Sequence, residues 1–188
     1  MRRIIGITGA PGAGKSTYAS ALAAREGGVH LPMDGFHLAD VSLERLGLRH
    51  LKGAPETFDA WGYAALLARL RAQPNTDAHE IVYAPAFQRD LEQPLAGAIA
   101  IPPSTELIVT EGNYLLLDRP EWRAALEQVD EVWFLEVAED VRRTRLHERH
   151  VRFGKSDEEA RAWMASVDEP NAELVAASRS RADRVITL

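Results

Sequence analysis

The sequence predicts an α/β fold, in which a parallel sheet of about five strands is covered by helices on both faces. Two observations support this prediction. Short apolar segments alternate with helical segments along the 188 residues, a pattern that is typical of parallel sheets. The first apolar segment is followed by residues 9–16, whose pattern G-x-x-x-x-G-K-S is a phosphate-binding loop between a strand and a helix. Together they predict a three-layer α/β/α sandwich.

The first half of the chain alternates in this way from its start. The loop at residues 9–16 needs a strand before it and a helix after it, and Gly27 and Gly28 can end that helix. Asp59 can cap a later helix, which residues 73–76 end. The predicted elements are strand 3–8, helix 16–25, strand 29–33, an irregular polar segment over 39–57 and helix 60–72.

The second half continues the alternation. Pro102 and Pro103 close an edge strand, and Pro120 begins a helix. Ser156 and Glu159 form a capping box that begins another helix. The four tryptophans are interpreted as core or helix-packing residues. The predicted elements are strand 80–85, edge strand 98–101, strand 106–110, helix 120–128, strand 131–135, helix 139–152, a helix from 157, helix 171–180 and strand 184–188.

Composition narrows the class of protein. The chain has no cysteine, which excludes disulfides, thiolate metal sites and cysteine nucleophiles. Its formal charge of −6 argues against a general nucleic-acid partner. No apolar run approaches the ~18 residues of a membrane span, and the apolar run near the first residue is too short for a signal peptide. We therefore expect one cytoplasmic domain over residues 1–188, with no membrane and no nucleic-acid partner.

The phosphate-binding loop predicts a nucleoside triphosphate as its ligand. Its glycines allow backbone N–H groups to surround an anion, and the following helix directs the positive end of its dipole at the same anion. In this pattern Lys15 reaches the β- and γ-phosphates, and the Ser16 hydroxyl ligates Mg²⁺. The predicted nucleotide-binding residues of the loop are Gly9, Ala10, Pro11, Gly12, Ala13, Gly14, Lys15, Ser16 and Thr17.

Two polar clusters follow other predicted strands, at the edge of the sheet where ligands bind in parallel α/β folds. Asp34 follows the second strand, where a carboxylate can accept the proton of a phosphoryl acceptor; an aspartate that only stabilises a turn is the alternative. Glu111 ends another strand, where an acidic residue can hold Mg²⁺ or cap a helix. His37 can bind substrate, orient Asp34 or lie on the surface, and Asn113 can line the acceptor pocket.

The helix predicted over residues 139–152 is rich in arginine. Four arginines share one face, because they are spaced three and four residues apart: Arg142, Arg145, Arg149 and Arg152. A lid that closes arginines over a triphosphate stabilises the charge of the transition state. A solvated helix with alternating charges is the alternative. The lid hypothesis predicts that at least one of these arginines reaches the phosphates.

Five segments, taken together and in order, resemble one family. They are G-A-P-G-A-G-K-S at 9–16, M-D-G-F-H at 33–37, K-G-A-P-E-T-F-D at 52–59, E-G-N-Y-L-L at 111–116 and R-L-H-E-R-H at 145–150. The sequence is similar to the phosphoribulokinase/uridine kinase/pantothenate kinase family of P-loop kinases. Within it, the chain most resembles bacterial proteins described as fructose-transport-system kinases or nucleoside/nucleotide kinases. The resemblance implies the P-loop NTPase fold, with a helical lid over residues 139–168.

The resemblance also implies roles for single residues. Asp34 matches the catalytic base of the family, and Glu111 matches the acidic residue near Mg²⁺. Lys52, Tyr83 and Arg89 match positions that form the acceptor pocket. ATP and Mg²⁺ are therefore the implied cofactors, and a small molecule with a hydroxyl group is the implied partner.

Further positions match the lid and the pocket of the family. Arg145 and Arg149 match its catalytic lid arginines, and Asn171 belongs to a motif expected near the nucleotide. Phe87 lies in a charged and aromatic segment that can enclose a small polar substrate. Gln88 stands where the family leads us to expect an aspartate. Many relatives are dimers, so the resemblance implies that a homodimer can form.

These residues predict an ATP-dependent kinase that transfers the γ-phosphate of Mg·ATP to a hydroxyl of a small metabolite. A sugar, a polyol, a nucleoside and a pantothenate-like molecule are open as acceptors, so uridine or cytidine kinase and pantothenate kinase are the alternatives. Two other classes are an ATPase switch and a non-catalytic nucleotide-binding regulator. A switch would hydrolyse ATP independently of any metabolite, whereas a regulator would hold ATP without turnover.

Overall fold

The computed structural model describes residues 2–73 and 80–188 of the chain. Residues 74–76, which were predicted to help end the third helix, lie outside the described residues. The elements in chain order are β1 Arg3–Thr8, α1 Lys15–Arg25, β2 Val29–Pro32, α2 Asp40–Leu46, α3 Ala60–Ala72, β3 Val82–Gln88, β4 Gln93–Ile101, β5 Leu107–Glu111, α4 Pro120–Leu126, β6 Glu131–Glu136, α5 Glu139–Arg152, α6 Asp157–Trp163, α7 Glu169–Ala177 and β7 Arg184–Thr187.

A parallel sheet of five strands forms the centre of the molecule, in the order β2-β5-β1-β6-β7. Ile7 of β1 and Pro32 of β2 both lie beside Glu111 at the end of β5. The carboxyl ends of these three strands therefore meet at one edge of the sheet, as predicted. Because every strand points the same way, the loops that leave this edge converge on one site.

The two faces of the sheet carry separate apolar layers, because successive side chains of a strand point to opposite faces. Ile5 and Ile7 pack with Leu22 of α1 on one face. Ile4 packs with Leu67 of α3 on the other face. The sheet is thus covered by helices on both sides, which confirms the predicted α/β fold.

An aromatic cluster locks α3 against the central strands. Tyr63 and Trp122 are fully buried, and their rings lie 6.4 Å apart. The Tyr63 hydroxyl pairs with Thr110 Oγ1 at 2.6 Å, and Thr110 Oγ1 donates to the carbonyl of Leu31 at 2.7 Å. Burial raises the pKa of the Tyr63 hydroxyl, so it remains protonated. This chain of hydrogen bonds joins α3, β5 and β2, and it fixes the strand ends that carry the site.

Two segments differ from the sequence prediction. The polar segment predicted to be irregular contains α2, which buries Leu43 and ends at Gly47 in the left-handed conformation, with a φ of 69°. A glycine after a short amphipathic segment is a helix stop signal, so the sequence did carry this information. The predicted edge strand belongs to β4, which pairs antiparallel with β3 in a separate two-stranded sheet.

The helical region that follows β6 contains an irregular turn. Helix α6 continues through one π-helical segment, Met164–Asp168, into α7. Such π-turns occur often at functional sites, because the extra residue redirects a side chain. No helix within the described ranges is both long and apolar enough to cross a membrane.

Candidate active site

The loop between β1 and α1 is shaped to surround an anion. Gly12 and Gly14 have φ angles of 85° and 91°, a conformation that glycine adopts without the steric cost of a side chain. Gly14 precedes α1 and provides no side-chain cap, so the first N–H groups of the helix are left for a ligand. The loop therefore offers backbone donors and a helix dipole to a phosphate.

Helix α5 holds this loop in place through Arg142. The Arg142 guanidinium is buried, donates to the carbonyl of Pro11 at 3.1 Å and forms an ion pair with Glu169 at 2.7 Å. A Cβ atom added at Gly12 would lie 2.7 Å from the Arg142 carbonyl oxygen, so the loop and the helix are in close contact. Arg142 was predicted to share the lid face, but it is a structural clamp on the loop.

Lys15 is a buried cation at the base of the loop. Its Nζ donates to the carbonyl of Ala10 at 3.0 Å. Burial lowers the pKa of Lys15 to about 8, although the carboxylates of Glu111 and Asp34 act in the opposite direction. Burial makes the charged form of Lys15 unfavourable, and a bound polyanion would stabilise that form. This environment therefore favours phosphate.

Ser16 and Glu111 form a pair of oxygen ligands beside Lys15. The Ser16 hydroxyl donates to Glu111 Oε1 at 2.8 Å, and Glu111 is buried at the end of β5. A hydroxyl and a carboxylate fit Mg²⁺, which prefers oxygen ligands and completes its shell with phosphate and water. Over the described part of the chain, no group of three or more histidine, aspartate or glutamate side chains is gathered to hold a metal. A metal at this pair would need oxygens from a nucleotide.

Asp34 lies in a short 3₁₀ segment directly after β2, opposite the loop. Its carboxylate accepts a hydrogen bond from Arg89 at 2.7 Å. The side chain of His37 bonds to the backbone oxygen of Asp34 at 2.8 Å and lies between the rings of Phe58 and Phe87. Burial raises the pKa of Asp34, but the surrounding positive charges, His37 in its protonated form together with Arg89, Arg149 and Lys15, outweigh it and hold the pKa below the ordinary 3.8. Asp34 is therefore ionised at neutral pH.

Two adjoining cavities meet at these residues. One, of about 330 Å³, is lined by the phosphate loop and arginines: Gly12, Gly14, Lys15, Ser16, Thr17, Arg89, Arg145 and Arg149. The other, of about 230 Å³, also contains Lys15, Ser16, Arg89 and Arg149, and it adds Asp34, His37, Lys52, Phe87, Glu111 and Asn113. The shared residues place a phosphate site next to a pocket that contains an ionised carboxylate.

The structure does not bring every predicted acceptor residue into this pocket. Tyr83 lies on the face of β3 opposite to the buried Val82 and Ala84, and 56% of its surface is exposed. Alternation along the strand is the reason, since neighbouring side chains point to opposite faces. Gln88 is also exposed, and it contacts Asp90 at 3.4 Å instead of the cavity. The expected acidic residue at that position would therefore not have lined the pocket.

Asn171 lies at the acceptor end of the pocket. Its side chain donates to the carbonyl of Gly53 at 3.5 Å. It lines the cavity that contains Asp34 and not the cavity formed by the phosphate loop. The cavity that contains Asp34 also contains Pro11, Lys15 and Ser16 of the phosphate loop, so a place for Asn171 near the nucleotide stays a prediction.

Several pocket residues were not predicted as site residues. Trp163, which was interpreted as a packing residue, lines the pocket, and Lys155 lies 4.8 Å from its ring. His150 pairs with the buried Asp168 at 2.7 Å, and this pair connects α5 to the π-helical turn. No local sequence pattern marks a π-helical turn, so the contacts of Trp163 and His150 could not be predicted.

Arg145 and Arg149, which the family resemblance assigns to a lid, differ in their position, and we expect them to differ in effect. Arg149 lines both cavities, and burial, reinforced by the charge of Arg89, lowers its pKa. Arg145 lines only the phosphate cavity and is exposed. On the kinase hypothesis of the sequence analysis, Arg149→Gln should lower kcat by about a hundredfold, as loss of a donor to the transferred group would, and Arg145→Gln by less than about tenfold. Steady-state kinetics at saturating ATP test this difference, and equal losses in both variants would contradict it.

Relatives with similar sequences cover most of the chain. A protein of Schizosaccharomyces pombe named "Putative uridine kinase C227.14" is 34% identical over 173 residues, which span 85% of this chain and 72% of that protein. The "ATP-dependent kinase-like protein notR'" of Aspergillus versicolor is 35% identical over 153 residues, which span 78% of this chain and 88% of that protein. No family model matches the sequence.

A solved structure agrees with this fold. The crystal structure of a "putative fructose transport system kinase" from Silicibacter sp. TM1040 has a TM-score of 0.86 and 37% sequence identity, and the match covers 98% of this chain and 89% of that one. The chain belongs to the family of P-loop kinases. Membership confirms the predicted fold class, and it makes this P-loop kinase a protein that uses a nucleotide such as ATP.

Proposed function

We propose that this P-loop kinase transfers the γ-phosphoryl group of Mg·ATP to a hydroxyl group of a small metabolite. One observation carries the proposal: the ionised carboxylate of Asp34 and the ammonium group of Lys15 line the same cavity of about 230 Å³. A phosphate loop alone would suit any nucleotide-binding protein. A carboxylate base held opposite that loop, in a pocket large enough for a small acceptor, suits phosphoryl transfer to an alcohol.

The transfer needs a base for one proton and cations for the phosphoryl charge. The acceptor oxygen bonds to the γ-phosphorus, and the bond from that phosphorus to the β,γ-bridging oxygen breaks. The electron pair of the broken bond leaves with ADP, and the hydroxyl proton passes to the Asp34 carboxylate. Lys15 and Arg149 stabilise the charge on the transferred group, since both line the two cavities.

Ser16 and Glu111 are the residues that would hold Mg²⁺, through the hydroxyl and the carboxylate that lie 2.8 Å apart. When bound, the ion neutralises phosphate charge and orients the triphosphate. Arg89 connects the two halves of the site, because it pairs with Asp34 and lines the phosphate cavity. It can therefore orient Asp34 towards an acceptor and contact the phosphate that arrives.

Acceptor-dependent release of ADP tests the proposed function. The protein with ATP and Mg²⁺ is incubated with single alcohols from a panel of sugars, polyols, hydroxy acids and nucleosides. Uridine is included because a relative carries the name of a uridine kinase. Mass detection must show the same alcohol with one added phosphoryl group. ADP release that no alcohol changes would overturn the proposal and indicate an ATPase.

A further inference from the structure

Two cations at the far end of the acceptor pocket share one carboxylate. Lys52 Nζ lies 2.6 Å from Asp40 Oδ1, and Arg49 Nη2 lies 2.8 Å from Asp40 Oδ2. Both Lys52 and Arg49 line the pocket. One negative charge therefore balances two positive charges, and the group of three has a net charge of +1 beside the space that an acceptor would occupy.

Lys52 has one N–H that these protein contacts do not use. Its side chain is only 8% exposed, and an ammonium group carries three donors. One donor reaches Asp40, and a second reaches the backbone carbonyl of Glu92. Within residues 2–73 and 80–188, these are the two hydrogen bonds of the Lys52 ammonium group. A buried cation with a donor left over, at the wall of a cavity, is suited to a ligand oxygen.

The turn whose backbone carbonyl accepts a hydrogen bond from Lys52 contains a residue in a strained conformation, Glu92. Glu92 has a φ of 51°, the one left-handed value among non-glycine residues over the described ranges. A non-glycine residue adopts that conformation only at a steric cost. The conformation occurs where the Glu92 carbonyl meets Lys52, while the residue itself is exposed. Glu92 also lines the pocket, but its side chain belongs to an exposed residue and is hydrated more readily than the buried Lys52 ammonium group.

Lys52 and Arg49 form what we call the cationic end of the pocket. The Phe87 ring connects this end to Arg89 and Asp34, where the transfer is proposed to occur. Lys52 Nζ is 5.5 Å from the centre of the Phe87 ring, and Arg89 Cζ is 5.1 Å from the same centre. Arg89 in turn pairs with Asp34. Lys52 also faces His37, whose pKa is lowered by burial although Asp34 opposes it, so His37 adds no charge at neutral pH. A short molecule can therefore reach from Asp34 to Lys52.

We infer that the acceptor carries an anionic group, either a carboxylate or a phosphate, which binds Lys52 and Arg49 while its hydroxyl group faces Asp34. This inference rests on the proposed function, and it narrows the acceptor to small hydroxylated anions. A neutral nucleoside or polyol would leave the spare donor of Lys52 without a charged partner. An oxyanion gives charge-assisted hydrogen bonds to both cations.

Matched pairs of acceptors test the inference. Glycerol is compared with glycerate, and ribose with ribose 5-phosphate, so that each pair differs by one anionic group and the two pairs separate carboxylate from phosphate. We expect kcat/KM to be at least about tenfold higher for the anion of one pair or of both. Addition of salt should raise the KM of the anion and leave that of the neutral partner unchanged.

Variants assign the effect to the cationic end. Arg49→Gln should raise the KM of the anionic acceptor by about tenfold at unchanged kcat, because it removes binding that is equal in ground and transition states. Arg45→Gln removes an exposed arginine from α2, the helix that precedes Arg49 in the chain, and is the matched control. Lys52→Met should have a larger effect, and its thermal unfolding must be measured because Asp40 loses a partner.

The outcomes separate the inference from the proposed function. A preference for the neutral member of both pairs, or equal effects of Arg49→Gln and Arg45→Gln, would overturn the inference and leave the kinase proposal intact. Absence of phosphoryl transfer to every compound would overturn both. A second measurement does not need transfer: in the presence of a non-hydrolysable ATP analogue, glycerate or ribose 5-phosphate should raise the Tm more than its neutral partner. Equal changes in Tm would also overturn the inference.

Discussion

Asp34→Asn should lower kcat by about a thousandfold, while the Kd for ATP changes by less than about threefold. The substitution keeps the shape of the side chain and an oxygen that can accept from Arg89, but it removes the group that takes the hydroxyl proton. The ion pair of Asp34 with Arg89 is partly exposed, at 26% and 37% of the two side chains. Its loss should therefore cost less than about 1 kcal/mol of stability. Kinetics and calorimetric titration with ATP, on the same preparation, check both halves of the prediction.

The matched control is Asp90→Asn, which removes an exposed carboxylate next to Arg89. It should leave kcat within about twofold, since surface charges at this distance are screened. The pH dependence gives a further check, because a base works only when it is deprotonated. Charges near Asp34 hold its pKa below 3.8, so activity of the native protein should not fall through this group between pH 8 and pH 5. Normal turnover by Asp34→Asn would show that another group takes the proton.

The sequence is enough to bring the phosphate loop, Asp34 and Glu111 together, because each belongs to a local pattern. The loop from Gly9 to Ser16 and Asp34 each come after a short apolar strand, and Glu111 is the last residue of another. Parallel strands carry their carboxyl ends to one edge, so local patterns are enough to place these residues together. The hydrogen bond of Ser16 with Glu111, separated by 95 positions in the chain, follows from that rule.

The rest of the pocket depends on contacts that no local pattern specifies. The direction of Tyr83 depends on the register of β3, and one residue of register reverses the faces of a strand. Trp163, which lines the pocket, directly precedes the π-helical turn, an element that no local pattern predicts. Arg142 has the spacing of a lid arginine, but its contact with Pro11 lies 131 positions away. Residues with the same chemistry therefore have different roles, which only tertiary packing decides.

Lys15 illustrates how a binding site can oppose the stability of its own fold. In the native state burial lowers the pKa of Lys15 from 10.5 to about 8, so at pH 7 the charged form is held at a cost of about 3 kcal/mol. That cost is fully present below pH 8 and disappears as the pH rises to 10.5, because the unfolded chain binds the extra proton over this range. The phosphates of ATP reverse the balance by adding a counter-charge. Without nucleotide, the buried charge of Lys15 lowers the free energy of unfolding, and binding of ATP offsets that loss.

Lys15→Met should therefore abolish activity and stabilise the protein in the absence of nucleotide. We expect kcat/KM to fall by at least about a thousandfold, because the cation that contacts the transferred phosphoryl group is lost. The free energy of unfolding at pH 7 should rise by about 2 kcal/mol, since the variant also loses the hydrogen bond to Ala10. The gain should vanish near pH 10.5. Arg25→Met, at the exposed end of the same helix, is the control and should show neither effect. Denaturant unfolding at pH 7 and pH 10.5 measures the two free energies of unfolding. A Lys15→Met variant less stable than the native protein at pH 7 would show that the buried charge of Lys15 does not destabilise the fold.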